Sequence, residues 1–283
     1  MHFNDIISII INRLYIGGNV NMNKKIGFVG CGNMAAAMIG GIVKSNLVPS
    51  DNIIASNPSD KSLNKVKQEY SILVTHDNLE VAKVSDIVIL AIKPTKYFEI
   101  IDEIKPYLKK DVVIVTIAAG ITLESMNNAL GDAAKVIRTM PNTPALVGQG
   151  MSAICANENI TKEELKDVVK IFESFGKVEI LEENLIDIVP AVSGSSPAYV
   201  YMFIEALGDG AVLQGMPREM AYRMAAQAVL GAAKMVLDTG EHPGKLKDNV
   251  CSPGGTTIKA VYTLEKNNFR AAVISAMESC SGK

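Results

Sequence analysis

The chain has 283 residues, and 28 lysines and arginines against 30 aspartates and glutamates give a net charge of −2 at pH 7. That balance supplies no basic footprint for nucleic acid and no polybasic patch for a membrane surface. Hydrophobic residues at 48% against 20% charged exclude disorder over most of the length, and folding a chain of this size removes roughly 73% of its surface from water, so a full core forms without staples.

Residues 6–11 read Ile-Ile-Ser-Ile-Ile-Ile, too short to span a bilayer. Met1 to Asp5 carries no lysine or arginine, which a secretory signal would need. Residues 1–21 are therefore expected to be an extension outside the core, with Met22 as the physiological start. From Lys25 the chain alternates short β-branched runs with helical stretches. Strands are predicted at 25–29, 53–55, 72–74, 86–91, 112–117 and 135–138, and helices near 34–45, 60–70, 97–108 and 122–130. Such alternation means βαβ units and a mostly parallel, doubly wound sheet. Two apolar runs, 151–156 and 177–181, flank a helix at 161–175, for which Thr161 and Glu164 form a capping box.

After Leu181 the character changes. Residues 184–283 contain no convincing strand and read as helices separated by turn residues. Ser196-Pro197 fits an N-cap followed by proline at the first helical position. Met216-Pro217 separates that helix from one near 218–238, which ends at Gly240 to Gly244. Met220, Met224, Ala228, Gly231 and Met235 recur there at helical spacing, a stripe that reads as core or helix interface. A last helix starts after Gly254-Gly255. The expected fold class is α/β: a Rossmann-type doubly wound domain over 22–182, followed by an all-helical domain over 183–283.

The first strand runs into Gly30-Cys31-Gly32-Asn33-Met34-Ala35, a Gly-x-Gly-x-x-Ala turn that opens a helix. The first glycine permits the tight turn, the second lets a pyrophosphate approach the backbone, and the small third residue lets helix and strand pack closely. Free N–H groups and the helix dipole then favour the phosphates. The second strand ends in Ala55-Ser56-Asn57-Pro58-Ser59, without the acid an NAD site uses on the ribose hydroxyls. Ser56, Asn57, Ser59 and Lys61 could donate to a 2′-phosphate, so NADPH is the expected cofactor, with NADH as an alternative. Two more loops end strands, Ala91-Ile92-Lys93-Pro94 and Ala118-Ala119-Gly120. Small residues in the second suit close packing against a nicotinamide or its ribose, and Lys93 is either a cofactor neighbour or a solvated turn charge.

Two unusual strings remain, Arg138 to Ala145 (RTMPNTPA) and Lys247 to Thr257 (KDNVCSPGGTT). The second is polar, contains glycine and leads into the amphipathic segment Ile258 to Leu264. It presents unpaired N–H groups and two hydroxyls at a helix start, which suits a substrate carboxylate and equally suits an ordinary helix cap. Cys31, Cys155, Cys251 and Cys280 are far apart, and His2, His76 and His242 are the only histidines. No zinc or other metal site is expected, and free thiols point to a reducing compartment, the cytoplasm.

From about Lys25 to the C-terminus the chain resembles the pyrroline-5-carboxylate reductases. The stretch Leu246 to Glu265 with its SPGGTT core is the specific part, joined in order by AIKP, IAAG, RTMPNTPA and VSGSSPAYVYMFIEALGDGAV. The resemblance implies NAD(P)H-dependent reduction of a cyclic imine acid to L-proline. It also implies a homodimer formed through intertwined C-terminal helices, often assembled into a decamer of five dimers. Carried over, Val29, Gly30, Cys31, Gly32, Asn33, Met34, Ser56, Asn57, Asn78, Ala91, Ile92, Lys93, Pro94, Ala118, Ala119, Gly120 and Asn249 would contact the cofactor. Val250, Gly255, Thr256 and Thr257 would hold the substrate, and Thr257 would hydrogen-bond the ring nitrogen or carboxylate. One departure is plain: where the family usually has Gly-Ser-Gly-Pro-Ala, this chain reads Gly194-Ser195-Ser196-Pro197-Ala198. Ser196 is strained there if its φ is positive and favourable if it caps a helix. A β-hydroxyacid dehydrogenase would place a lysine acid/base on the first helix of its second domain; Ser193 to Gly210 contains no Lys, Arg or His. A dinucleotide-binding protein without turnover is the remaining alternative.

Overall fold

Apolar β-branched tetrapeptides bounded by turn residues form strands that are buried on both faces, as a parallel sheet requires. The computed structural model describes residues 22–280, so the reading of residues 1–21 lies outside the described part. Its strands are β1 (Ile26–Val29), β2 (Ile53–Ser56), β3 (Leu73–Thr75), β4 (Ile87–Leu90), β5 (Val113–Thr116), β6 (Lys135–Met140), β7 (Gly150–Ala156) and β8 (Gly176–Ile180). They pair in the order β3-β2-β1-β4-β5-β6-β7-β8. Every pairing is parallel except β6 with β7. From β1 the chain first winds outward to β2 and β3, then returns to β4 on the other side. That reversal opens a crevice at the carboxyl ends of β1 and β4.

Helices α1 (Asn33–Lys44), α2 (Asp60–Tyr70), α3 (Asn78–Val84), α4 (Tyr97–Ile104), α5 (Leu123–Leu130) and α6 (Lys162–Glu173) join the strands. Two buried clusters result, one on each face of the sheet. Phe28, Met38, Ile39, Ile42, Phe172 and Phe175 belong to one; Val29, Leu90, Tyr97, Ile101 and Met126 belong to the other. Neighbours Phe28 and Val29 fall in different clusters because the side chains of a strand alternate. The expected capping box is present: Thr161 Oγ1 accepts from the Glu164 amide at 3.3 Å, and Glu164 Oε2 accepts from the Thr161 amide at 2.9 Å.

Four details go beyond the sequence reading. Helix α3 was not anticipated; it has only seven residues, too few to show a period, and is started by Asp77, whose side chain accepts from the Leu79 amide. Strand β6 runs on to Met140, so the first part of the 138–145 string is strand and only Thr143–Val147 forms a 3-10 turn. The two compact units of the chain divide after Gly194, so residues 183–194 pack with the sheet. The reason is a short helix α7 (Glu183–Ile186) that stays with the sheet: Ile186 is fully buried in the second cluster. Arg138, itself buried, donates to Glu183 Oε1 at 3.0 Å and also pairs with Asp187. Farther along, Asn142 Nδ2 donates to the Ser193 carbonyl at 2.9 Å.

The fourth detail concerns the second unit, which is all helical: α8 (Ser196–Leu213), α9 (Arg218–Thr239), α10 (Pro243–Val250), α11 (Thr256–Lys266) and α12 (Phe269–Cys280). Helices α10 and α12 were not anticipated, and α10 takes in Lys247 to Val250, the first part of the KDNVCSPGGTT string. Ser195 occupies the N-cap and Ser196 the first helical position. Ser196 is not among the described non-glycine residues of positive φ, which are Asn46, Ser71 and Asn268, so the departure from the family glycine carries no left-handed strain. Helices α8 and α9 meet closely: a Cβ on Gly208 would lie 2.4 Å from the Tyr222 ring. Among the described residues of this unit only Gly208, Ala221 and Ala225 are buried. Met220, Met224 and Met235 stay exposed, as do Tyr201, Met202, Leu213, Leu237 and Tyr262. The methionine stripe is therefore no part of the core of a single chain.

Candidate active site

The crevice is built by the backbone before any side chain enters. At the end of β1, Gly30 takes φ +93° while its amide donates to the Ser56 carbonyl at 2.9 Å. A Cβ there would lie 2.5 Å from the Ala91 carbonyl oxygen and 2.8 Å from Ile92 Cγ2. Conformation and space both demand glycine. Gly32, by contrast, has an extended backbone at the N-cap of α1, with nothing within 4 Å of a Cβ built on it. No side chain caps α1 and no acid stands in its first turn. An uncapped helix start with open space before it suits a pyrophosphate.

The loops around this start are tied to one another. The Cys31 amide donates to Asn57 Oδ1 at 3.1 Å, linking the glycine turn to the end of β2. The Cys31 side chain points into the core, and burial pushes its thiol up to about 11. Ser56 is fully buried and donates to Asn78 Oδ1 at 2.7 Å, while Asn78 Nδ2 donates to Glu103 Oε2 at 3.2 Å. Ser56 therefore positions Asn78 and presents no hydroxyl to solvent. The Val29 side chain also belongs to the core, so only its backbone faces the loops. On the far side of the crevice, Ala91 donates its amide to the Val29 carbonyl at 2.8 Å, Ile92 is half-buried, and exposed Lys93 heads the 3-10 turn Pro94–Lys96. After β5, Ala118 is buried, whereas Ala119 and Gly120 are exposed and Gly120 takes φ +76°. Asn33 is exposed and Met34 half-buried at the helix start.

Three residues that sequence reasoning missed support this frame. The Tyr97 hydroxyl donates to the Leu90 carbonyl and meets Thr116 Oγ1, both at 2.7 Å, joining the ends of β4 and β5 beneath the loops. Burial raises its phenol well above the usual range, so it stays protonated. His76, just after β3, places Nδ1 2.9 Å from the Asn57 carbonyl and Nε2 3.0 Å from Asp60 Oδ1. No sequence motif marks any of the three; each is recognisable only once the strand ends are adjacent.

In the second unit the SPGGTT segment makes another uncapped helix start. Asn249 and Val250 end α10, and Val250 is exposed. Gly254 takes φ +71°, the Gly255 amide donates to the Ser252 carbonyl at 3.0 Å, and Gly255 becomes the N-cap of α11. A Cβ on Gly255 would lie 2.4 Å from Ser252 Oγ. Thr256 and Thr257 supply the first helical amides and two hydroxyls, with no acid in that turn and no capping side chain. Asn249 and Val250 thus close one helix and Gly255, Thr256 and Thr257 open the next, whose uncapped start suits an anion. Among the described residues no group of His, Cys, Asp and Glu could hold a metal ion, and no helix is long and apolar enough to cross a membrane.

Residues 25–120 match the family described as NADP oxidoreductase coenzyme F420-dependent, and residues 183–283 match pyrroline-5-carboxylate reductase dimerisation, a homo-oligomerisation domain. The pyrroline-5-carboxylate reductase of Escherichia coli is 52% identical over 262 residues, 93% of this chain and 97% of that protein. The enzyme of the same name from Arabidopsis thaliana is 42% identical over 89% of this chain and 91% of its own. A Plasmodium falciparum pyrroline carboxylate reductase solved with NADP bound superposes with a TM-score of 0.83 at 36% identity, covering 92% of this chain and 96% of that one. With the glycine turn, the switch-point crevice and the SPGGTT helix start in place, these likenesses establish that the chain belongs to the pyrroline-5-carboxylate reductase family.

Proposed function

We infer that this chain carries out the reaction of its family, NAD(P)H-dependent reduction of 1-pyrroline-5-carboxylate to L-proline, the final step of proline biosynthesis. The observation that carries the cofactor part is Gly30, whose left-handed φ and missing Cβ space hold open the uncapped start of α1. The residues fit the group: amides face the phosphates, no acid stands at 56–57 to oppose a 2′-phosphate, and NADPH is the preferred donor. Bound NAD(P)H supplies the hydride. The exposed backbone at Ala119 and Gly120 bounds the nicotinamide end, and Lys93 and Pro94 close the opposite side. Asn249 is a further cofactor contact, as the family resemblance implies.

An imine nitrogen can arrive already protonated, so the reaction asks less acid–base chemistry of the protein than a ketone does. Its tasks are to position the ring carbon and to secure the carboxylate. The amides of Gly255, Thr256 and Thr257 take the carboxylate, Val250 packs on the ring, and the Thr257 hydroxyl orients the ring nitrogen. The helical unit forms the homodimer, which assembles further into a ring of five dimers, and its exposed apolar side chains support that reading. Residues 22–182 serve as the dinucleotide domain and 183–283 as the substrate and dimerisation domain, in the cytoplasm. Incubating the purified protein with NADPH and 1-pyrroline-5-carboxylate, and following the absorbance of the reduced nicotinamide, tests the activity. NADPH loss with the imine acid, and no NADP⁺ reduction with hydroxy acids, is the expected result. Turnover of hydroxy acids, or no turnover at all, rejects the reading. Light scattering on the eluting protein tests assembly, and a clean monomer rejects it.

A further inference from the structure

His76 lies where folds of this type distinguish a phosphorylated from an unphosphorylated adenosine ribose, next to the first residue beyond β2. Its two ring nitrogens meet two oxygens. Nδ1 is 2.9 Å from the Asn57 carbonyl and Nε2 is 3.0 Å from Asp60 Oδ1. A backbone carbonyl only accepts, and so does an ionised carboxylate, so both contacts are hydrogen bonds together only when both ring nitrogens carry protons. In that doubly protonated form the ring sets a positive charge against Asp60. Asp60 is the acid in the first turn of α2, the helix that follows the ribose-recognising strand end. Uncompensated, that carboxylate would repel a 2′-phosphate, while a ribose hydroxyl would tolerate it.

We propose that His76, clasped between the Asn57 carbonyl and the Asp60 carboxylate, is a specificity-determining residue that favours NADPH over NADH by cancelling the charge of Asp60. The proposal rests on the cofactor reading above and names the residues that set its selectivity. His76 and Asp60 are both largely exposed, with 57% and 82% of their side-chain surfaces accessible, so water screens their charges and the effect is modest.

Calorimetric titration of the full-length protein with NADP⁺ and with NAD⁺, at about pH 6.5 where an ordinary imidazole is half charged, tests it. The variants are His76→Asn, Asp60→Asn and the double substitution. The Asn side-chain amide can still donate to the Asn57 carbonyl but brings no charge to Asp60. His76→Asn is expected to weaken NADP⁺ binding about five-fold and NAD⁺ binding by less than about two-fold. Adding Asp60→Asn to it is expected to restore NADP⁺ affinity to near the wild-type value. Equal weakening of both dinucleotides would mean that His76 only props the loop, and the proposal fails. An unchanged ratio, or a double variant no better than His76→Asn alone, also overturns it. If the wild-type protein binds neither dinucleotide, the cofactor reading itself falls.

Discussion

Replacing Gly30 and Gly32 separately by alanine should give two different phenotypes from one turn. In Gly30→Ala the new Cβ would sit 2.5 Å from the Ala91 carbonyl oxygen and 2.8 Å from its carbonyl carbon, both rigid backbone atoms of β4's exit. It would also force an L-residue to φ +93°. The left-handed conformation costs about 1–2 kcal/mol, and overpacking a tight site costs about 1–3 kcal/mol. A total of about 2–5 kcal/mol corresponds to a fall in melting temperature of roughly 4–20 °C for a domain of this size. Relief of the clash would push β1 from β4 and open the crevice, so dinucleotide affinity should fall as well. Gly32→Ala meets nothing within 4 Å and keeps a negative φ. Its stability should change by only about 0.5 kcal/mol, the difference between glycine and alanine at an N-cap. Its methyl group would nevertheless stand in the space before α1, and NADP⁺ affinity should fall at least about ten-fold if pyrophosphate needs that approach. Scanning fluorimetry and calorimetric titration of the two variants give the four numbers. A Gly30→Ala protein as stable as wild type, or a Gly32→Ala protein with wild-type affinity, would refute the assignment of the two glycines.

Other outcomes are equally specific. Thr257→Ala should lower turnover or raise the substrate KM substantially while NADPH still binds, and unchanged steady-state kinetics would remove Thr257 from the site. Burial pushes the thiols of Cys31 and Cys155 up to about 11, so at pH 7 only about one in ten thousand is thiolate; iodoacetamide mapped by mass spectrometry should modify exposed Cys280 well before either. Burial raises the Glu164 carboxyl, but the hydrogen bonds from Lys135 and from Thr161 outweigh it and hold the group below its ordinary value. A lowered carboxylate stabilises the fold above the unfolded-state value, and that stability is lost as pH falls through the lower folded-state value. Glu164→Gln keeps the cap but loses the charge facing Lys135, so it should be less stable than wild type near neutral pH by about 1 kcal/mol, with the gap closing below about pH 4. A gap that does not depend on pH would contradict this.

The sheet was legible because its strands are short β-branched runs bounded by turns, and because GCGNMA follows the first of them. The capping box at Thr161 was legible for a similar reason, since both partners are local in sequence. What could not be read depends on strands far apart in the chain. Tyr97 joins the ends of β4 and β5, and His76 joins the exit of β2 to the start of α2. Neither pairing has a fixed spacing. Helices α3 and α10 were missed because seven or eight residues hold too few turns to show a period. The packing of residues 183–194 against the sheet was hidden for a related reason: Glu183 and Asp187 look like solvated helix charges until Arg138 appears beside them. The family resemblance implied cofactor contacts from Ser56 and Cys31, but the hydroxyl of one and the thiol of the other face inward, so any such contact would run through their backbones.

Crystals of the protein grown with NADPH and a non-reducible cyclic amino acid such as L-proline would locate both ligands at once. The account requires the pyrophosphate on the amides that follow Gly30 and the proline carboxylate on the amides of Gly255 to Thr257, with the ring carbon facing the nicotinamide. A dinucleotide seated away from the ends of β1 and β4, or a proline carboxylate that ignores the start of α11, would contradict it.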